Sequence, residues 1–557
     1  MNLIIYLLFL LSGAASLIYQ ILWMRDLGLV FGNTTYATGT VLAAFMGGLG
    51  FGAYFLGKIY NNVKNPVKIY AILELIIGIY ILVYPFLFNM CFPLYSYFYN
   101  NISSNFFLIT LFRLFLSFAI LFIPTFMMGG TLPILSKYFI GNLESASLKL
   151  GILYAANTLG ACIGSSICSF LLIGSIGTNN TRYFAVLINI LIGITGLYLS
   201  TKLPPNSVTQ NENFKQNNYI SDNAIDILLL ILFSISGLTS FGYEVIWTRL
   251  FIPFLGTSIY SFTLILLTVL IGITIGSYIY RLIGNKIKDA LIIFCILELC
   301  IGLLAVFNIK ICGGLDDLYF YLTKNNLISS WLISKSIILV SLFLFMLPIT
   351  ILFGFIFPLF GNIIIKKLNN VSADIGKLYA INTIGNIFGS IFCGFISIQF
   401  FGLINTIIIL AALNMSIGII ILVKYFRLNF FRLNIRKISI SLLIIIFTFS
   451  IILFSYKKYN NPKERFYSIF PGKLKALYPW ETDIYYYKED VDATIAAYQN
   501  NKTKRKGLLV NGIGTTVLVV DTKLLAHLPI WLHGSPKSFL IICFGMGTTF
   551  SSTKPYQ

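Results

Sequence analysis

Two glutamates, Glu74 and Glu298, stand inside long apolar stretches that carry almost no other charge. A carboxylate surrounded by hydrocarbon is costly, so it faces a partner or a wet cavity. Two chemistries fit: a site for a coupled ion, proton or polar solute, and a structural pairing with a nearby Lys or Arg. Arg113 is a third intramembrane charge, with no counterpart in the second half of the chain. Asn157 and Asn382, each followed by Thr, can bond between helices or line a path. Near the C-terminus, Gly545-Met546-Gly547 follows the apolar run 539–544. A G-x-G turn after a strand can let backbone approach a nucleotide or its relatives, so Gly545 and Gly547 are the cofactor-binding candidates. His527 and His533 are the only histidines. Two without a third ligand read as helix-surface or packing residues, and no metal site is assigned. No catalytic residue is identified.

The elements that position these residues follow from composition. The chain has 557 residues, 57% hydrophobic and 10% charged, with a net charge of +20. Soluble domains carry about 25% charged residues. A water-soluble protein could not hide this much apolar surface. Thirteen hydrophobic segments are expected to span a bilayer: 3–23, 35–57, 69–90, 105–128, 150–173, 183–201, 226–248, 258–280, 291–309, 331–357, 378–398, 403–423 and 438–455. Eighteen Lys and Arg fall on one set of alternating loops and five on the other. By the positive-inside rule the N-terminus is cytoplasmic, in an inner or plasma membrane. The positive charge is thus a topology signal touching lipid head groups, and no nucleic-acid partner is needed. The first segment has no positive n-region and recurs deep inside the chain, so it reads as a retained helix. Trp23–Arg25 and Trp247–Arg249 close their spans as interfacial anchors. The eight cysteines form no C-x-x-C pair and read as small packing residues.

An internal repeat organises the chain. L-S-G-A-A-S-L-I-Y-Q-I-L-W-M-R (11–25) matches I-S-G-L-T-S-F-G-Y-E-V-I-W-T-R (235–249), and Glu74 falls on Glu298. One residue out of step, G-I-L-Y-A-A-N-T-L-G-A-C-I-G-S (151–165) matches G-K-L-Y-A-I-N-T-I-G-N-I-F-G-S (376–390). Each repeat has six spans, an even number, so both halves insert in the same sense. Glycines four apart, Gly160 and Gly164 answering to Gly385 and Gly389, serve close helix packing, or a hinge or cavity wall. The expected fold is an all-α polytopic membrane bundle of two parallel six-helix repeats, followed by an incomplete α/β tail. Its parts are the first repeat 1–201, a polar linker 202–225, the second repeat 226–424, a basic loop with a thirteenth helix 425–455, and the tail 456–557.

In the tail, A-T-I-A-A-Y-Q-N and G-L-L-V-N-G read as two strands around the basic turn Lys502 to Lys506. A helix follows from Thr522 and carries His527, and 538–550 reads as a buried parallel strand entering a glycine turn. L-S-G-A-A-S-L-I-Y-Q-I-L-W-M-R, F-G-N-T-T-Y-A, the G-x-L-Y-A-x-N-T-x-G repeat, V-D-A-T-I-A, D-T-K-L-L-A-H-L-P and L-I-I-C-F-G-M-G-T-T-F together resemble a known family. Its members are bacterial membrane proteins that fuse a major-facilitator-like helical region to a spermidine-synthase-like domain. The resemblance implies a Rossmann-like tail and aminopropyl transfer from decarboxylated S-adenosylmethionine, as substrate, to a polyamine. It places the synthase glycine loop on Cys543 to Thr548, with Met546 at the acidic position. The element over Val510 to Thr515 lacks the family's Asp and Gln. The acidic residues that would bind the amine fall beyond Gln557, so the chain reads as a C-terminally truncated member, inactive as an aminopropyltransferase. The alternative is a secondary transporter moving a small solute, a cation among the candidates, through the two-repeat bundle. On that reading Glu74→Gln or Glu298→Gln abolishes uptake. The partners are the lipid bilayer and a small-molecule or polyamine substrate. If all thirteen segments span, the tail is extracytoplasmic.

Overall fold

The structure is a computed structural model. It describes residues 1–32, 35–102, 105–143, 145–203, 223–255, 259–324, 331–365, 370–428, 482–490, 493–511, 513–517, 520–534, 536–538, 540–541 and 547–553. The expected thirteenth span, most of the linker and most of the basic loop lie outside these residues.

Among the described residues twelve long helices form the bundle: α1 (Asn2–Phe31), α2 (Thr35–Ile59), α3 (Pro66–Asn101), α4 (Phe106–Phe139), α5 (Ala146–Ile167), α6 (Ile173–Lys202), α7 (Asn223–Leu255), α8 (Ile259–Ile283), α9 (Ala290–Lys324), α10 (Trp331–Ile364), α11 (Val371–Ile391) and α12 (Ile398–Leu428). Among the described residues, ten helical runs are long and apolar enough to cross a membrane. Two of these, Ala146–Lys202 and Val371–Lys424, hold two helices each. The starts are legible: Pro66 opens α3 behind Asn65, whose side chain caps Lys68 N at 3.1 Å, and Asn105 caps α4. Large apolar side chains such as Phe107, Phe115, Leu344 and Phe400 stand exposed along the bundle wall. Water would not tolerate such a belt, and hydrocarbon does.

The duplication extends to backbone detail. A π-helical turn at Cys168–Leu172 follows α5, and another at Phe392–Ser397 follows α11. Shortly beyond each, Gly177 and Gly402 take φ of 78° and 81°. These lie in the left-handed region, open to glycine without a Cβ clash. There the chain reverses. Tyr19 reaches Asn189 while Asp26 reaches Arg182, so α6 runs antiparallel to α1. Gly160 lies on Leu10 and Gly164 on Ala14, so α5 runs parallel to α1. A Cβ on Gly160 would strike the Leu10 carbonyl, and one on Gly385 the Ser234 carbonyl of α7. The same contact is thus made twice, with α11 parallel to α7.

The halves meet chiefly along two helix pairs, with α5–α10 and α4–α11 adding to them. On one side Gly57, Gly50 and Gly39 of α2 lie against Ser372, Thr383 and Phe395. On the other, Gly151 of α5 approaches Ser277 of α8, and Ser169 bonds Thr263 at 2.7 Å. Because α2 is antiparallel to α11 over its whole length, the two halves insert in the same sense.

The tail departs from expectation. Its strands β1 (Thr482–Glu489), β2 (Thr494–Asn500), β3 (Lys506–Val510) and β4 (Ile513–Val517) form one antiparallel meander in the order β1-β2-β3-β4. A parallel Rossmann-like strand needs a long crossover connection, and short turns join these strands. At the expected parallel strand, Leu540 stands 88% exposed and the described residues 540–541 are not in a sheet. The expected hairpin is present as β2–β3. Helix α13 (Val520–His533) carries His527, which stacks on Trp531 at 5.6 Å. A single turn, α14 (Thr548–Ser551), follows Gly547.

Candidate functional site

Each half contains the same buried polar network. In the first, Glu74 of α3 is fully buried between α1 and α6. Ser12 Oγ donates to its Oε1 at 2.5 Å and Asn189 Nδ2 donates to its Oε2 at 2.5 Å. Tyr19 donates to Asn189 Oδ1 at 2.8 Å. In the second, Glu298 of α9 is equally buried, and Asn414 Nδ2 donates to its Oε2 at 2.6 Å. Asn414 also donates to Thr239 Oγ1 at 2.9 Å and accepts from Tyr243 at 3.1 Å. Carboxylate, carboxamide and phenol thus recur on the third, sixth and first helices of each half. Burying such groups is tolerated only where each finds a partner. Glu298 Oε1 makes no bond as short as those of Glu74, although Ser236 of α7, the counterpart of Ser12, lies beside the carboxylate.

The expected pairing of these glutamates with a nearby Lys or Arg is not what holds them. The ion pair inside the bundle joins Arg182 to Asp26 at 2.7 Å and involves neither glutamate. Neutral groups surround the two carboxylates instead: Ser12 of α1 and Asn189 of α6 for Glu74, Asn414 of α12 and Ser236 of α7 for Glu298. A short hydroxyl or amide reaches across a tight helix crossing that a long cationic side chain would prise open. The structure does not bring Glu74 and Glu298 together: each belongs to the interior of its own half. Asn189, Asn414, Tyr19 and Tyr243 complete the network. Asn189 and Asn414 carry a legible signal, since they are identical at the same offset as Asn157 and Asn382.

The other candidates are dispersed. Arg113 finds Tyr95 of α3, whose hydroxyl takes its Nη2 at 2.7 Å. Asn157 and Asn382 sit where α5 and α11 cross Gly13 and Gly237. Gly547 opens α14 with φ 70°, and Gly545 lies outside the described residues. Trp23 and Trp247 are no interfacial anchors. They are 1% and 2% exposed and stack on Tyr19 at 5.7 Å and Tyr243 at 5.6 Å, because the aromatic stripes of α1 and α7 point into the bundle.

Between the halves, aromatic side chains meet. Tyr154 of α5 stacks on Phe357 of α10 at 4.4 Å, and Phe357 meets Tyr379 of α11 edge-on at 6.0 Å. At the end of the bundle away from Met1, the tail docks on the second half. Arg249 Nη2 donates to the Asp490 carbonyl at 2.8 Å. Leu403 N and the Tyr487 hydroxyl both donate to the buried Glu489 carboxylate.

No family model matches the chain, and no curated protein does. The synthase-like reading of the tail gains no support from them. Among solved structures, the human organic anion transporter MFSD10 (TETRAN) is similar with a TM-score of 0.44 and 12% identity, over 74% of this chain and 97% of that one. A single-residue variant of the E. coli fucose:proton symporter FucP is similar with a TM-score of 0.41 and 13% identity, over the same shares of the two chains. FucP in the outward conformation, a major facilitator superfamily transporter, gives a TM-score of 0.42 and 14% identity, again over 74% and 97%.

Proposed function

We propose that the chain is a secondary transporter of a small solute, in which 1–201 and 226–424 are two half-bundles that rock about their shared faces. One observation carries this reading. The halves are separately cross-tied, each by its own glutamate network, yet meet mostly through small residues along α2–α11 and α5–α8 and aromatic ones along α5–α10. Rigid halves joined by smooth faces are what alternating access needs. Glu74 and Glu298 serve as the keystones of their halves, and Asn157 and Asn382 tie α5 and α11 to α1 and α7. The linker 202–225 tethers the halves, with the N-terminus cytoplasmic and the tail 456–557 an accessory on the opposite side. Contact of Glu489 and Asp490 with the far ends of α7 and α12 favours that placement.

The test needs no known solute. In a cysteine-free background, Ser16→Cys on α1 and Ser240→Cys on α7 are exposed to a membrane-impermeant thiol reagent in sealed vesicles. Labelling from either face is expected, with each face excluding the other when α2 and α11 are cross-linked at that end. Labelling from neither face, or from one face only, overturns the transport reading in favour of a scaffold.

A further inference from the structure

Glu244 is a carboxylate inside α7 that the glutamate networks do not use. It is half-buried on a helix packed against α10, α11 and α12, so it borders whatever opening those helices leave beside it. Residues three, four and seven apart share a helix face, so Ser240, Phe241, Glu244 and Thr248 form one stripe, and all four are half-buried. On one flank of it Leu238 and Val245 meet Gly389 and Gly394. On the other, Trp247 and Phe251 meet Phe345 of α10 at 6.4 and 5.1 Å. Tyr243 turns away toward Asn414. The stripe therefore looks out between α10 and α11, the helices that touch the first half through Phe357 and Thr383. The matching stripe of α1 carries Ser16, Leu17, Gln20 and Met24. The repeat thus places Gln20 where the second half places Glu244, and one negative charge stands between two otherwise uncharged stripes.

Among the described residues Glu244 takes part in no ion pair, and none of the hydrogen bonds found there involves it. A buried carboxylate is stabilised by a counter-charge or a proton. We infer that Glu244 binds a small organic ammonium ion between the halves, its charge on the carboxylate and its apolar body against Phe241, Leu17 and Met24. A cation over the Phe241 ring adds attraction from the aromatic face. A divalent metal would need several ligating groups, and no cluster of three His, Cys, Asp or Glu occurs among the described residues. This inference rests on the transport reading for its meaning but not for its test.

The full chain in detergent is titrated with n-butylammonium, and with 1-butanol as the neutral isostere, while its melting midpoint is followed. A saturable rise with n-butylammonium only is expected, with apparent affinity at least tenfold weaker in Glu244→Gln. Should that variant fail to fold, protection of Ser240→Cys from the thiol reagent by n-butylammonium, with Glu244 intact, reads the same occupancy. No rise and no protection, or an equal response in Glu244→Gln, overturns the assignment. Ammonium binding without two-sided labelling of Ser16→Cys and Ser240→Cys leaves the site standing and removes transport. Two-sided labelling without ammonium binding does the reverse.

Discussion

The first half closes its far end with its own residues, whereas the second uses the tail. In the first, Asp26 at the end of α1 and Arg182 at the start of α6 form a buried ion pair, with Tyr84 beneath the guanidinium at 5.2 Å. The equivalent positions of the second half are Leu250 and Ile407. There Arg249 turns to the Asp490 carbonyl, and Glu489 takes the amide left free where Gly402 breaks α12. At both breaks a threonine hydroxyl, Thr181 or Thr406, donates to the glycine carbonyl at 2.6 Å, but only the second half draws a further partner, Glu489, from the tail. Duplication copied what builds each half. The ends and the central stripe then diverged, and that is where the halves acquire different tasks.

The comparison can be broken from the strongest contrast downward. Arg182→Ala leaves Asp26 buried and unpaired, so a destabilisation of about 3–5 kcal/mol is expected from loss of a buried partner. The Leu250 end of the second half offers no equivalent change. Thermal melting in detergent checks it. Gly160→Ala and Gly385→Ala drive a Cβ into the Leu10 and Ser234 carbonyls, at about 1–3 kcal/mol for overpacking. Equal losses of monodisperse protein are expected on size-exclusion chromatography; unequal ones would show that the halves do not share this crossing.

Glu74→Ala strands both Ser12 and the Asn189 amide, whereas after Glu298→Ala the Asn414 amide keeps its bond to Thr239. Because each stranded buried donor costs about 1–3 kcal/mol, Glu74→Ala is expected to melt lower. The reverse order would contradict the asymmetry seen at Glu298 Oε1. The smallest effect is Glu489→Ala, which strands one donor, the Leu403 amide, at about 1–3 kcal/mol and loosens the tail. Faster limited proteolysis within β1 and β2, with at most a small drop in the melting of the bundle, is the expected result.

Much of the bundle was legible because lipid imposes simple rules. Uncharged runs of about 20 residues, Pro66 behind Asn65 and the matched motifs at 11–25 and 235–249 each mark an element directly. The glutamates were legible as charges in the wrong solvent, yet their partners were not. Ser12 and Asn189 lie 62 and 115 residues from Glu74, a separation that local pattern cannot bridge. Trp23 read as an anchor because it ends an apolar run beside Arg25, and only packing turned it inward. The tail misled for a different reason. An apolar run before G-x-G has the composition of a parallel strand, but a strand's identity rests on neighbours to pair with.

Composition and repetition alone determined that this chain lies in a bilayer as two copies of one six-helix unit, because hydropathy and positional identity are written residue by residue. Only the tertiary structure decided that neutral donors hold the two glutamates and that the tail completes one half but not the other. It also decided that the face of α7 bearing Glu244 is flanked by α10 and α11. These depend on which helix faces meet, a property of crossings and reversals that no single stretch of residues carries.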